Sequence, residues 1–215
     1  LKAINLLGNM GAEAVEPLID ELRNQATSLN EHKLGGSPAD PQGSNPAELS
    51  AAHALARIGE AAVDLLIHEF SHEDWRVRAV VADILGDMGS KAVSAADDLS
   101  RLLADDNFWV RRNAAEALGY IGVSNENIVN ALIEALNDED ERVRRNATLT
   151  IAKIGPPAHN AVQTLAGLIT DECRYVRYNT LLALRRIESP EASAILWQEL
   201  DNKRWCEITT VDSPY

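Results

Sequence analysis

The sequence predicts an all-α fold, an α-α superhelix of about six stacked helical hairpins with the first one partial. Three observations carry this expectation. Val-Arg recurs at Val77-Arg78, Val110-Arg111, Val143-Arg144 and Val176-Arg177, each pair 33 residues after the last, and a fixed period of this size marks a stacked repeat. Gly89, Gly122 and Gly155 close the segments that follow the first three pairs, where a helix end favours a left-handed residue. Apolar residues make up 46% of the chain and aromatics only 5%, a balance that suits Ala/Leu/Ile/Val helix packing better than a β-sandwich. One continuous solenoid over 1–215 is therefore expected.

The elements follow in order. Leu1 to Met10 reads as the tail of a first helix stopped by Gly11, so the chain opens in the middle of a repeat. Ala12 to about Arg23 is a second helix with Val15, Leu18, Ile19 and Leu22 at 3–4 spacing. Asn24 to Pro46 holds Gly35, Gly36, Gly43, Pro38, Pro41 and Pro46 and reads as an inserted surface loop. The step from Gly11 to Gly59 is 48 residues, which accommodates that insertion. Repeat two pairs Leu49–Ile58 with Ala61–Phe70. Repeat three pairs Trp75–Met88 with Ala92–Ala104. Repeat four pairs the helix ending at Gly122 with Asn125–Leu136. Repeat five pairs Val143–Ile154 with His159–Ile169, and repeat six pairs Val176–Ile187 with Pro190–Leu200. Glu188 stands where the other repeats have the stop glycine, and 201–215 is a C-terminal tail.

Within each unit the residues have structural work. Each Val before Arg is a buried plug in the first helical turn. Alanines such as Ala114, Ala115 and Ala117 let helices approach, and Leu55, Leu85, Leu118 and Leu184 fill the seam. Asp105, Asp138 and Asp171 stand five residues before three of the valines. A carboxylate there caps the helix or pairs with a ladder arginine of its own or the next repeat. Arg78, Arg111, Arg144 and Arg177 are thus read as a structural ladder. It is interrupted upstream, where His72 takes the Asp position and Glu48 the Arg position.

The pattern D-x4-V-R-x2-A-x2-A-L-G-x-I-G, written out by Asp105–Gly122, resembles the HEAT-repeat family, in particular the compact bacterial kind called phycobilisome-lyase-like. That resemblance implies the solenoid fold. For function it implies a choice among scaffolds, adaptors, bilin lyases, a DNA glycosylase lineage and a di-iron hydroxylase.

Charge narrows the partners. The net charge is −13, a poor match to a phosphate backbone, so the expected partner is a protein with a basic or polar contact surface and not nucleic acid. No apolar run reaches membrane-spanning length, and the chain is expected in the cytoplasm. Counting thirteen and nine residues back from each Val-Arg, the outward stripe of the second helices comprises Asp64 and His68, Asp97 and Arg101, Asn130 and Glu134, and Gln163 and Gly167, with Glu16 and Asp20 added by repeat one. The stripe is either a groove for a basic segment or a solvated face. Trp75, Phe108, Trp109 and Tyr175 all lie one or two residues before a Val-Arg, so they line one rim. They serve there as partner contacts or pack over the neighbouring turn. Trp197 and Trp205 are expected to close the C-terminal end.

Catalytic and metal chemistry is weakly represented. Cys173 and Cys206 form no C-x-x-C pair, and no G-x-S-x-G or phosphate-binding loop occurs. His68-Glu69 and His72-Glu73 evoke the His-Glu pairs of the di-iron branch, but they fall within six residues and have no counterpart in repeats four to six. No metal or cofactor is therefore assigned. His53 is expected to be packed or partly buried, and His159 to sit near a helix N-terminus.

Overall fold

The computed structural model describes residues 11–28 and 50–204. Leu1–Met10, Trp205 and most of the expected 24–46 loop lie outside them. The described residues form eleven α-helices joined by short 3-10 segments and turns, without a strand: α1 (Val15–Thr27), α2 (Ser50–Ile58), α3 (Val63–His68), α4 (Trp75–Met88), α5 (Ala96–Arg101), α6 (Phe108–Ile121), α7 (Glu126–Ala135), α8 (Glu141–Ile154), α9 (Val162–Gly167), α10 (Arg174–Ile187) and α11 (Pro190–Arg204). α2, α4, α6, α8 and α10 are first helices, and the others are second helices. α1 extends four residues past Arg23, so the first part of the expected loop is helical. α11 runs four residues past Leu200 into the expected tail.

α4, α6 and α8 begin on side-chain caps, whereas α10, behind Cys173, has none. Asp74, Asn107 and Asp140 accept from the backbone N–H groups of Arg76, Trp109 and Arg142, satisfying donors that the helix itself leaves free. Gly59, Gly89, Gly122 and Gly155 all have positive φ, and Glu188 takes the same role at φ 58°. Only glycine adopts this region without crowding its Cβ.

An Asp–Arg ladder exists, but its aspartate side chains pair with neither their own repeat's arginine nor the next repeat's, the two choices expected from the spacing, because stacking sets each aspartate's turn against the first helix before it. Arg78 donates through Nε and Nη2 to Asp105 at 2.8 and 2.9 Å, Arg111 to Asp138 at 2.6 and 3.0 Å, and Arg144 to Asp171 at 2.8 and 3.2 Å. Each aspartate therefore binds the arginine of the preceding repeat, bidentately. The arginine of its own repeat instead donates to its backbone carbonyl, as Arg111 Nη1 does to Asp105 O at 2.8 Å. The aspartate does not cap the helix with its side chain. Its Oδ1 accepts from the N–H two residues on, as in Asp105 with Asn107, which sets the turn that presents the true cap. At the interruption His72 Nδ1 accepts from Asp74 N at 3.0 Å, so the histidine keeps the turn while losing the ion pair. Glu48 lies outside the described residues.

The core runs along the stack between the two helix layers. Val77, Val110, Val143 and Val176 are fully buried, as are Leu55, Leu85 and Leu118. First helices approach their neighbours closely. A methyl on Gly86 would lie 3.0 Å from the Ala117 backbone, and one on Gly119 would lie 2.5 Å from Thr150 Oγ1. A second ladder, of buried asparagines, crosses the same seam. Asn113, Asn146 and Asn179 donate to the carbonyls of Ala79, Arg112 and Arg145 on the preceding first helix.

Candidate partner-binding surface

The second-helix stripe is on the surface. Asp20, Asp64, His68, Asp97, Arg101, Asn130, Glu134 and Gln163 are all exposed. Some are already engaged. Asp20 accepts from Arg23, Asp97 accepts from Asn125 across the repeat boundary, and Arg101 pairs with Asp98. Asp64, Asp97, Asn130 and Gln163 keep one register through repeats two to five.

The expected aromatic rim is only partly available. Trp109 is buried at 8% exposure, Trp75 and Phe108 are part-buried, and Tyr175 is exposed. Arginines of the same or next repeat cover these rings. The Arg142 guanidinium sits 4.2 Å from the Phe108 ring centre and 5.0 Å from Trp109, and Arg76 lies 5.0 Å from Trp75. Trp109 thus joins the core instead of presenting a contact, because the next first helix brings Arg142 over it. Trp197 at the C-terminal end is 69% exposed.

The histidines are used structurally or stand alone. Glu69 is buried and takes a bidentate bond from Arg23 at 2.8 and 2.7 Å, and His72 holds its turn. Among the described residues no three His, Cys, Asp or Glu side chains are grouped as a metal ion requires. His53 is exposed, against expectation, because its helix buries Ala51, Ala52 and Ala54 instead. His159 is exposed in a 3-10 segment, Pro156–Ala161.

The structure also assembles a surface that the stripe analysis missed, on the outward face of the first helices. Asp83 and Asp87 of α4 stand beside Arg112, Glu116 and Tyr120 of α6, with His53 of α2 on one side and Lys153 of α8 on the other. Glu116 pairs with Arg112 at 3.0 Å and accepts from Asn146 at 3.3 Å. Burial and then the neighbouring Asp87 and Glu116 carboxylates push the Asp83 carboxyl up to about 7. Burial and Glu116 also raise Asp87. Lys153 lies over the Tyr120 ring at 4.1 Å, and its desolvation lowers its pKa. Further along, Arg145 covers Tyr175 at 5.1 Å, and Tyr178 is 68% exposed. The signal was present in the sequence. Asp87, Tyr120, Lys153 and Arg186 keep the 33-residue period, as do Asp83, Glu116, Leu149 and Leu182.

A family model for HEAT repeats matches residues 44–119, 97–160 and 129–208. The chain belongs to the HEAT-repeat family. A comparison with curated protein sequences gives no match. Among solved structures this HEAT chain is similar to an engineered protein at TM-score 0.59 and 21% identity, covering 99% of this chain and 90% of that one. It is similar to a designed armadillo repeat protein in complex with the peptide (KR)4 at TM-score 0.55 and 18% identity, covering 87% and 91%. It is also similar to the complex of CpcE and CpcF of phycocyanin lyase from Nostoc sp. PCC7120 at TM-score 0.53 and 19% identity, covering 77% and 98%. At these identities the likenesses establish the HEAT or armadillo-like solenoid fold. No described helix is long and apolar enough to cross a membrane.

Proposed function

We propose that this HEAT-repeat protein is a non-enzymatic scaffold that binds another protein through a basic or polar segment laid along its stacked helices. The observation that carries the reading is the register of exposed polar groups on the second helices, where Asp64, Asp97, Asn130 and Gln163 recur at one position of successive repeats. A solenoid offers such positions as an extended row, and a partner segment meets them one repeat at a time. The chain's net charge of −13 favours cationic partners through the same row. The armadillo-like neighbour bound to (KR)4 agrees with this chemistry.

The test is affinity capture from native lysate with the wild type and a D64K/D97K/E134K variant, read by mass spectrometry. One or a few proteins carrying a basic segment are expected with the wild type and lost with the variant, whose thermal midpoint stays unchanged. Equal capture by both would remove the second-helix row from the reading, and absence of any specific partner would overturn the scaffold itself. A second reading, a phycobilisome-lyase-type factor that attaches or detaches a chromophore, is favoured by the likeness to the CpcE and CpcF complex. Its test is the visible absorbance of phycocyanin incubated with the protein. A chromophore shift or loss would favour it over the scaffold.

A further inference from the structure

The charge on the first helices is ordered along the stack. With the ladder arginines set aside, α4 carries Arg76 against Asp83 and Asp87, and α6 carries Arg112 against Glu116. α8 carries Arg142, Arg145 and Lys153 against Glu141, while α10 carries Arg174, Arg185 and Arg186 against no acid. From α4 to α10 the net charge of successive first helices thus climbs from −1 through 0 and +2 to +3, while α2, with Arg57 and no acid, stands at +1, within a chain whose total is −13. Arg76 and Arg142 are held by Asp74, Asp140 and the rim rings, but the two outward rows also change from acid to base along the stack. Asp87, Tyr120, Lys153 and Arg186 are exposed, and Asp83, Glu116, Leu149 and Leu182 are part-buried. Asp83 makes no hydrogen bond among the described residues, and three carboxylates there face a single guanidinium, that of Arg112. Leu149 and Leu182 lie one turn before Lys153 and Arg186 on α8 and α10, beside the basic pole, and Tyr178 lies one turn earlier again on α10.

We infer that this first-helix face docks an extended segment of a partner protein that is itself charge-segregated, with Lys or Arg over the Asp83–Asp87–Glu116 end and Asp or Glu over the Lys153–Arg186 end. The inference rests on the scaffold reading and adds a second face with a different partner chemistry. The partner's cation adds to the counter-charge of Arg112, which pairs directly with Glu116. The partner's carboxylates meet Lys153 and Arg186, and its apolar side chains rest on Leu149 and Leu182 beside them. Three helix-to-helix steps of ~9–10 Å separate the Asp87 and Arg186 rows, a span that about nine extended residues cover. A uniformly basic segment satisfies one pole and is repelled by the other, so the arrangement also fixes register.

The experiment is fluorescence anisotropy on the full chain with labelled peptides of about nine residues. One peptide holds three Lys/Arg, three Leu/Ala and three Glu in blocks, and a second has the same composition with charges interspersed. The block peptide is expected to bind about tenfold more tightly. D83N/D87N/E116Q and, separately, K153E/R186E are each expected to weaken it about tenfold, with the helical circular dichroism of the wild type retained. The K153E/R186E pair alters exposed side chains only, which keeps the test valid if the acid-side variant is perturbed. Wild-type affinity for the block peptide should rise between pH 6 and 8, because Asp83 ionises to receive the cation. The groups facing Asp83 and Asp87 there are His53 from α2 and Arg112, Glu116 and Tyr120 from α6. Equal binding of the two peptides, unchanged affinity in both variants, or no binding at all would overturn the inference. Loss of the block peptide only in D64K/D97K/E134K would overturn it while sustaining the second-helix scaffold.

Discussion

Two residues occupy conformations or environments that their chemistry disfavours, and each yields a measurable consequence. Glu188 stands where the other repeats have a glycine at positive φ, and at φ 58° it takes the left-handed conformation that Gly122 also takes. A side chain there costs about 1 kcal/mol, and the carboxylate also opposes the negative end of the α10 dipole. Glu188→Gly should therefore stabilise the protein by ~0.5–1 kcal/mol, read as a higher urea midpoint at unchanged slope. Asp83 presents the opposite case, a native group whose folded pKa, about 7, is raised above its unfolded value. Its neutral form is compatible with folding, and stability falls as pH climbs from the unfolded carboxylate range through about 7. Asp83→Asn should then be more stable than the wild type at pH 8, by on the order of 1–2 kcal/mol. The difference should shrink towards zero near pH 4. Denaturation profiles across pH 4–8 check both the sign and the window.

At the scale of the element, what joins one repeat to the next is a pair of ladders with different tolerances. The asparagine ladder ends at α4, where Val80 occupies the equivalent position and is fully buried. That seam therefore holds without the hydrogen bond. The arginine ladder also lacks a rung, at His72, but where both partners are present it is less forgiving. Arg111 satisfies Asp138 and the carbonyls of Asp105 and Asp106 with one planar group, which lysine cannot reproduce. The ion pair raises the Arg111 pKa still further, chiefly through the hydrogen bond to Asp138. Arg111→Met leaves a largely buried Asp138 without its cation and should cost about 3 kcal/mol, measured by urea denaturation. A loss below about 1 kcal/mol would show the ladder to be ornamental to stability.

For the whole molecule, stability is a sum over neighbouring interfaces, and its ends are thinnest. Among the described residues of α11, Ala192 is the one buried apolar side chain, whereas α4 and α6 each bury nine residues. Amide hydrogen exchange should therefore protect α4, α6 and α8 most strongly and release α11 first. Uniform protection from α4 to α11 would argue against a stack that frays from its end. The same linearity lets the surface chemistry drift. Each repeat contacts only its neighbours, so outward positions can change from carboxylate to guanidinium along the chain without disturbing the core.

The periodic part of the protein was legible in the sequence by itself, because structural positions are constrained identically in every copy. Val-Arg, the alanine seam and the stop glycines repeat for that reason. From them followed the fold, the repeat units and the presence of an Asp–Arg ladder. The direction of that ladder depended on tertiary structure. The spacing offers Asp105 the arginine of its own repeat, Arg111, or of the next, Arg144, whereas the stacking geometry gives its side chain Arg78 and its backbone carbonyl Arg111. The fate of the rim was decided the same way. Trp109 and Tyr175 occupy equivalent sequence positions, yet one is buried beneath the next repeat's Arg142 and the other stays exposed beside Arg145 and Arg174. The first-helix cluster shows the limit most clearly. Asp83, Glu116 and Lys153 sit on three different helices, and no local pattern relates a carboxylate in one repeat to the charge facing it from the next. The close approach permitted by Gly86 and Gly119 brings them together, and with them the surface on which the partner proposal rests.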